Sequence, residues 1–293
     1  MENCVICGSS KIVIDNHSMS YLGLPESLSI MKCRECLLRW LFPINSVDRY
    51  RSIYEKEYFE NIPENYEELA RERIPYFKRR IKKISELMKS TGIVILDIGA
   101  ATGEFVNEAI KAGMVAEGIE PSEFARRKAR EKYGIELAGG DALEMDIGRE
   151  KYDVVYMNHV LEHIVDPHNL LKKIHLSLKR GGYLIVEIPY QFGTIYERLC
   201  KFIEIAEPIN FSLYSIHHPF FYSPKSLKHL LGLHSYSDTK ISVWKDYFYL
   251  KKIEALEYCK HQQYSFLELW LRVLHIYIKE MGNYNFMVAH ARK

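Results

Sequence analysis

The stretch Ile93-Val-Ile-Leu-Asp-Ile-Gly-Ala-Ala-Thr-Gly-Glu-Phe-Val106 decides the fold of this chain. Its β-branched and apolar residues predict a buried strand that runs into Asp97. Small residues follow, and a helix-forming run then starts at Glu104. Gly99 and Gly103 lack a Cβ, so the loop can turn sharply and its backbone can approach a ligand closely. The N–H groups at the helix start favour an anionic or electron-rich group of that ligand.

Strand and helix patterns alternate from this stretch onward. Further strands are predicted at 115–120, 135–137, 152–157 and 181–188, with helical patterns at 122–133 and from about 158 to 178. Such alternation predicts a parallel sheet with helices on both faces, and ligands at the carboxyl ends of its strands. Two last strand patterns, Lys240–Trp244 and Asn285–Ala291, would close the sheet antiparallel. We therefore expect a doubly wound, seven-stranded α/β sheet of the Rossmann-like kind.

Acidic residues recur where these strands end. Asp97 leads into the glycine loop, Glu120 ends the second strand, and Asp141 follows the third. A carboxylate at the end of the second strand can accept two hydrogen bonds from a ribose diol. One after the third strand can face an adenine amino group. A dinucleotide-binding oxidoreductase shares the first two features but usually shows Gly-x-Gly-x-x-Gly, whereas this loop reads Gly99-Ala-Ala-Thr-Gly103.

Together these motifs resemble a class I S-adenosylmethionine-dependent methyltransferase over about residues 85–235. The segments that carry the resemblance are Asp97–Gly103, Glu120, Gly140–Ala142, Asn158–Ile164 and Leu178–Pro189. The resemblance implies a set of cofactor-binding residues with distinct roles. These are Asp97, which leads into the loop, the loop residues Gly99, Ala101 and Gly103 for the methionine part, Glu120 for the ribose, Asp141 and Ala142 for the adenine, and Asn158 at the rim. The family often has glycine where this chain has Ala101.

Two Cys-x-x-Cys pairs precede this domain, Cys4 with Cys7 and Cys33 with Cys36. Each pair can supply two thiolates from one tight turn, and two such turns close a tetrahedral zinc site. A redox role is the alternative, but that motif is single and lies at a helix start after a strand. We expect structural Zn²⁺ in a ribbon over residues 1–44, with strands at Lys11–Ile14 and Leu37–Phe42, that needs the metal to fold.

Paired cysteines in front of such a domain resemble the zinc-binding module of sugar C-methyltransferases from glycan and natural-product clusters. In those enzymes a Tyr/Glu/His cluster after the fifth strand supports proton abstraction from the substrate. The corresponding segment here is Tyr214–Ser223. His218 aligns with the family's His, His217 takes the place of its Glu, and Tyr214 is displaced by one position. The catalytic candidates are therefore His218, His217 and Tyr214, with His218 as the first choice of base.

A second group of possible metal ligands lies after the fourth strand. At helical spacing His159, Glu162 and His163 share one face, so two imidazoles and a carboxylate could bind a divalent metal. Some metal-assisted O-methyltransferases resemble this arrangement. We favour the alternative, in which the triplet packs its helix beside the cofactor.

Residues 45–92 are interpreted as a helical connector. A helix should start at Pro63, break or kink at Pro75, and continue as a second helix from about 76 to 89. The basic run Lys78–Lys83 is interpreted as a solvated helix face in preference to a nucleic-acid patch.

The methyltransferase domain would occupy 93–293, with substrate-covering insertions at about 190–225 and 250–282. An apolar stripe in the second insertion favours core packing or a homodimer over a substrate lid.

Composition narrows the function classes. The 293 residues are 47% hydrophobic and 27% charged, with a formal net charge of +2. This predicts a globular, cytoplasmic protein without a membrane span, and it argues against a nucleic-acid partner. Our hypothesis is methyl transfer to a small polar acceptor, such as a nucleotide-linked sugar or glycan precursor. The alternatives are an RNA or protein methyltransferase guided by the zinc ribbon, a metal-assisted small-molecule O-methyltransferase, and a binding protein that retains the cofactor fold.

Overall fold

The structure is a computed structural model that describes residues 3–15, 28–44, 63–190, 192, 218–244 and 286–293. A small antiparallel sheet lies at the N-terminal end of the chain. Its first three strands are β1 (Ile12–Ile14), β2 (Ser29–Cys33) and β3 (Arg39–Phe42). The predicted strands correspond to β1 and β3, whereas the sequence pattern did not indicate β2. A helix, α1 (Pro63–Met88), then leads into the main sheet.

The main sheet has the predicted seven strands. In chain order they are β4 (Val94–Ile98), β5 (Val115–Glu120), β6 (Ala138–Gly139), β7 (Tyr152–Asn158), β8 (Leu178–Pro189), β10 (Ser237–Trp244) and β11 (Phe286–Arg292). Their spatial order is β10-β11-β8-β7-β4-β5-β6. The strands from β8 to β6 pair in parallel, and β11 pairs antiparallel with both β8 and β10. The Rossmann-like fold is confirmed, although the third strand lies just after the predicted 135–137.

Helices cover the sheet between its strands. They are α2 (Glu104–Lys111), α3 (Glu123–Tyr133), α4 (Pro167–Ser177) and α5 (Pro224–Leu233). Hydroxyl and carboxylate side chains begin three of them, because a side-chain oxygen can accept an otherwise unpaired N–H of the first turn. Ser122 caps α3, Asp166 caps α4, and Ser223 forms a capping box at α5. None of the described helices combines the length and apolar character that a membrane span needs.

The predicted break at Pro75 is wrong, because α1 runs through this residue. Proline removes one backbone hydrogen bond from a helix interior. Directly after it, Phe77, Ile81 and Ile84 recur at helical spacing and are buried in one cluster with residues of the main sheet. We attribute the continuity of α1 to this burial, which offsets the missing bond.

The small sheet and the main domain are joined by a strand and by a common buried cluster. The fourth strand of the small sheet is β9 (Phe220–Phe221), which follows β8 in the chain and pairs antiparallel with β3. Trp40 of β3 belongs to the same buried cluster as Leu96 of β4 and Val155 of β7. The ribbon over 1–44 is thus completed by a strand from the predicted methyltransferase domain.

Candidate active site

The glycine loop turns sharply between β4 and α2. Its backbone is left-handed at Gly99, Ala101 and Gly103, with φ angles of 76°, 47° and 80°. A left-handed alanine costs about 1–2 kcal/mol, which accounts for a preference for glycine at the position of Ala101. A Cβ on Gly99 would collide with the Val160 side chain. The segment after β7 therefore packs directly on the loop.

Glu120 supports this loop from the end of β5. Its carboxylate accepts the N–H of Ala101 at 2.8 Å and the N–H of Ser122 at 2.9 Å. The side chain is fully buried, and this burial raises the pKa of Glu120 to about 6. A carboxylate offers about four acceptor positions, so two bonds to the backbone leave capacity for a ribose diol.

Carboxylates are concentrated beneath the loop. Asp97 and Glu104 are both buried, and Glu104 accepts hydrogen bonds from the Thr102 hydroxyl and, at 3.3 Å, from the Lys132 ammonium. Burial and the charges of Glu120 and Glu104 raise the pKa of Asp97 well above its usual range. Mutual repulsion of this kind favours a cationic ligand. S-adenosylmethionine carries a sulfonium and an ammonium group, so the donor set fits it.

Asp141 lies beyond β6, at the next strand end along this edge of the sheet. Its Oδ1 accepts the N–H of Leu143 at 2.8 Å, and the adjacent Ala142 is buried. The guanidinium of Arg126 lies against β6 and donates to the main-chain carbonyl of Glu120 at 2.8 Å. Arg126, which the sequence analysis did not single out, therefore borders the predicted adenine position.

Asn158, the predicted rim residue, is the last residue of β7. Its Nδ2 donates to the Tyr156 hydroxyl at 3.1 Å and to Glu187 Oε2 at 3.4 Å. Glu187 also forms an ion pair with Arg80 of α1. Both charged side chains are almost completely buried, with 1% and 6% of their surfaces exposed. The rim of the predicted pocket is thus connected to the connector helix.

Arg80 corrects our interpretation of the basic run Lys78–Lys83. The run does not lie wholly on a solvated face, because Arg80 is buried. Arg80 lies three residues after Phe77 and four before Ile84, which are on the buried face of α1. That spacing was the available signal for its burial. We nevertheless expected Arg80 to be exposed because it is charged, since Arg is rarely buried without a partner.

Among the three catalytic candidates, only His218 lies within the described residues; His217 and Tyr214 lie outside them. His218 is buried, and its ring meets the ring of His163 edge to face, with centroids 4.6 Å apart. One ligand atom from each of Glu162, His163 and His218 lies within 4.8 Å of the others. The structure therefore places the predicted base, His218, next to Glu162 and His163, two of the three predicted metal ligands.

His159 does not occupy the helical position that we expected. Leu161–His163 form a short 3₁₀ turn, and α4 begins only at Pro167. His159 precedes this turn with a left-handed φ of 55°, and its ring packs edge to face on Phe286. Its Nδ1 lies 3.3 Å from Glu162 Oε1. The predicted helical face is therefore wrong, because the chain bends at His159 before any helix starts.

The four cysteines of the ribbon converge as predicted. The Sγ atoms of Cys4 and Cys36 are 3.7 Å apart, those of Cys7 and Cys33 are 3.6 Å apart, and all four lie within 4.8 Å of one another. Four sulfurs at about 2.3 Å from a tetrahedral Zn²⁺ would be about 3.8 Å apart. A hydrogen bond from Cys36 lowers the pKa of Cys4 to about 5. The sulfur positions fit a structural Zn²⁺.

Two histidines tie the first cysteine turn to the main domain. His168 Nε2 lies 3.0 Å from the carbonyl oxygen of Val5 and must donate to it, since a carbonyl only accepts. His168 Nδ1 is 2.9 Å from Nε2 of His234, which follows α5. Val5 lies between Cys4 and Cys7, so the turn that carries two sulfurs is held against α4.

Comparison with known sequences identifies the family. A methyltransferase domain model matches residues 66–236, which is more than half of the chain. An uncharacterized methyltransferase from Anoxybacillus flavithermus is 24% identical over 166 residues, which cover 53% of this chain and 75% of the relative. An uncharacterized methyltransferase from a Geobacillus species is 27% identical over 145 residues, which cover 48% of this chain and 61% of the relative.

Comparison with solved structures gives the same fold. A SAM-dependent methyltransferase from Thermotoga maritima, described as a possible histamine N-methyltransferase, superposes with a TM-score of 0.53 at 21% identity. The superposition covers 83% of this chain and 99% of that protein. The chain belongs to the methyltransferase domain family, and it is an enzyme that uses S-adenosylmethionine as its cofactor.

Proposed function

We propose that the enzyme methylates a small polar acceptor, such as a nucleotide-linked sugar or a glycan precursor, at the carboxyl edge of the main sheet. The observation that carries this proposal is the grouping of the glycine loop, Glu120, Asp141 and Asn158 at the ends of β4 to β7. In a doubly wound sheet this edge is where ligands bind.

The cofactor supplies a methyl group that is already activated by the positive charge on its sulfur. The protein therefore has to align the acceptor with the C–S bond and exclude water. Glu120 would hold the ribose and Asp141 with Ala142 the adenine, while the carboxylates beneath the loop would attract the cationic end. Because Glu120 is fully buried, a ribose reaches it only after neighbouring side chains move.

A base is needed only where the acceptor must lose a proton. His218 is our candidate, because it is the predicted catalytic residue that lies beside the segment after β7. His217 and Tyr214 stay proposals from the sequence alone.

The ribbon supports a structural role more than a guiding role. Its carbonyl at Val5 accepts from His168, and β9 pairs with β3. A module bound in this way has less freedom to present itself to RNA or to a protein. Its basic and acidic residues are also nearly balanced, which gives little attraction to phosphates.

Calorimetry with S-adenosylhomocysteine tests the cofactor site. Loss of the Glu120 charge should weaken binding about tenfold or more, since a hydrogen bond to a charged group contributes about 1.5–3 kcal/mol. Glu120→Gln is preferable to Glu120→Ala because it keeps an acceptor for the Ala101 N–H. Glu117→Gln is the matched control, since Glu117 of the same strand binds Lys151 and Tyr152 instead. Equal binding by Glu120→Gln and wild type would remove Glu120 from the site.

The acceptor is tested by methyl uptake from labelled S-adenosylmethionine. We expect uptake with nucleotide sugars and no electrophoretic shift of RNA. Methylation of RNA or of a protein, with none of any nucleotide sugar, would overturn the acceptor proposal and leave the cofactor site intact.

A further inference from the structure

We propose that Glu162, His163 and His218 form a second metal site, which binds a divalent transition-metal cation beside the methyl donor. The site differs from the cysteine cluster in its ligands, in its position and in its open coordination. It also differs from the set that the sequence indicated, since His218 replaces His159.

Geometry is the first support. One ligand atom from each of the three side chains lies within 4.8 Å of the other two. Two ligand atoms at about 2.1 Å from a metal are at most about 4.2 Å apart, so small rotations of the side chains would complete the site. The ligands come from two separate segments: Glu162 and His163 from the 3₁₀ turn after β7, and His218 from two residues before β9. A cation would hold these two segments together.

The burial of Glu162 is the second and independent support. Its side chain is 2% exposed, and within the described part of the chain neither carboxylate oxygen accepts a hydrogen bond. Buried carboxylates are normally hydrogen-bonded, paired with a cation or bound to a metal. The buried hydroxyl of Tyr222 likewise has no hydrogen-bond partner among the described residues. A cation at this position would balance the negative charge of the Glu162 carboxylate.

The donor set indicates the kind of metal. Imidazole nitrogens suit zinc, iron, nickel and copper, and two histidines with one carboxylate are typical of sites with open positions. Mg²⁺ and Ca²⁺ prefer oxygen ligands. Three protein ligands would leave at least one position for another molecule, whereas the four cysteines form a closed set.

The location suggests what the open position would bind. Val160 packs on Gly99 of the cofactor loop, and Glu162 follows it by two residues. The cation would therefore lie next to the loop, on the side where an acceptor must approach. If the proposed function holds, the open position would take an oxygen atom of that acceptor. His218 would then be a ligand through the nitrogen that faces Glu162 and could not act as a base through the same atom.

A protonated His159 is the competing explanation for the buried carboxylate. Its Nδ1 lies 3.3 Å from Glu162 Oε1, so an imidazolium there could balance the charge without a metal. The two explanations differ in whether a metal binds: the first requires a cation held by His163 and His218, and the second requires none at this position.

The test is a titration with Mn²⁺ of the reduced full chain that carries one equivalent of Zn²⁺ and no excess, because excess Zn²⁺ would outcompete Mn²⁺ at a histidine site. The free Mn²⁺ is followed by its electron paramagnetic resonance signal. Zinc in the cysteine cluster keeps Mn²⁺ away from the thiolates. We expect one Mn²⁺ per chain in the wild type. Glu162→Gln, His163→Asn and His218→Asn should each weaken binding at least about tenfold. His159→Asn and His229→Asn should bind as the wild type does; His229 is an exposed histidine of α5.

Two results would overturn the proposal. One is a wild type that binds no Mn²⁺ beyond the noise of the titration. The other is Mn²⁺ binding that Glu162→Gln and His218→Asn leave unchanged or that depends on His159. Binding of S-adenosylhomocysteine by each variant, measured in parallel, shows that the variant is folded. His163 is only partly buried, whereas Glu162 and His218 are buried, so the His163 variant is the least expected to disturb folding. If the wild type fails to bind S-adenosylhomocysteine yet binds Mn²⁺ as expected, the proposed function fails and the metal site stands.

Discussion

The chain contains two clusters of potential metal ligands, and they were not equally visible in the sequence. The cysteine cluster consists of two pairs, each with a spacing of three residues, and the ligands within a pair share one turn. The second cluster joins Glu162 and His163 to His218, which lies in a different segment of the chain. Local spacing can predict a site of the first kind. A site of the second kind exists only once the fold has brought its segments together.

The largest effect is expected from a variant that disrupts the cysteine cluster. Cys33 is completely buried, and Cys33→Ser removes one of the four sulfurs. Zinc binding contributes about 10–16 kcal/mol in isolated zinc-finger peptides, so we expect loss of stoichiometric zinc and a large fall in the melting temperature. Elemental analysis and thermal unfolding followed by circular dichroism measure both. Cys200 belongs to neither Cys-x-x-Cys pair, so Cys200→Ser is the control and should retain one zinc per chain.

Retention of stoichiometric zinc by Cys33→Ser would contradict the predicted set of four ligands. Retention of the wild-type melting temperature after complete loss of zinc would show that the metal contributes little to the stability of the ribbon. The ribbon would then be stabilised mainly by β9 and by the core that it shares with the main sheet.

The second effect concerns another contact that only the fold assembles, the ion pair between Arg80 and Glu187. Arg80→Ala removes the cation that pairs with the buried carboxylate of Glu187, and breaking a buried ion pair in this way costs about 3–5 kcal/mol. The free energy of unfolding from denaturant titration should fall by that amount. Lys82→Ala is the matched control on the same helix. The Lys82 side chain is 80% exposed and 4.0 Å from Glu86, so its loss should cost less than about 1 kcal/mol. Similar losses for the two variants would show that the buried pair contributes no more than a surface pair.

These contrasts show which parts of the molecule the sequence could predict. Alternating strand and helix patterns predicted the main sheet, because each buried strand is a local run of apolar residues. The antiparallel pairing of β11 was predicted as well. The strand β2 was not, since Ser29–Cys33 mixes polar and apolar residues. Nor was β9, whose two residues are too short to show a period.

The predicted site shows the same division. Asp97 lies near the end of β4, Glu120 ends β5, and Asp141 follows β6. These carboxylates and the glycine loop lie close together because the three strands pair in parallel. Arg126 of α3 donates to the carbonyl of Glu120 at the end of β5, whereas Arg80 of α1 pairs with Glu187 of β8. The position of each arginine in the sequence does not predict which residue it contacts. The charge of both residues suggested exposure to solvent. Helical spacing could have placed Arg80 on the buried face of α1, but only the tertiary packing shows the partner of each residue.

The smallest expected effect is a dependence of cofactor binding on pH. Burial raises the pKa of Glu120 to about 6 in the folded protein. Ribose hydroxyls that donate to Glu120 would favour its charged form and lower its pKa in the complex. Affinity for S-adenosylhomocysteine should therefore be full above about pH 6 and fall below it, by at most about tenfold per pH unit. Calorimetry between pH 5 and pH 8 measures this fall.

Glu120→Gln is the control, since its side chain does not titrate. Stability should change in the opposite direction. A carboxyl with a raised folded pKa binds protons more tightly in the native state, so its contribution to stability is present below the unfolded pKa of 4.5 and lost as the pH rises through about 6. The cofactor-free enzyme would thus lose stability from this group over the range in which it gains affinity. Parallel profiles for wild type and Glu120→Gln would show that Glu120 only supports the loop at Ala101 and does not contact the ribose.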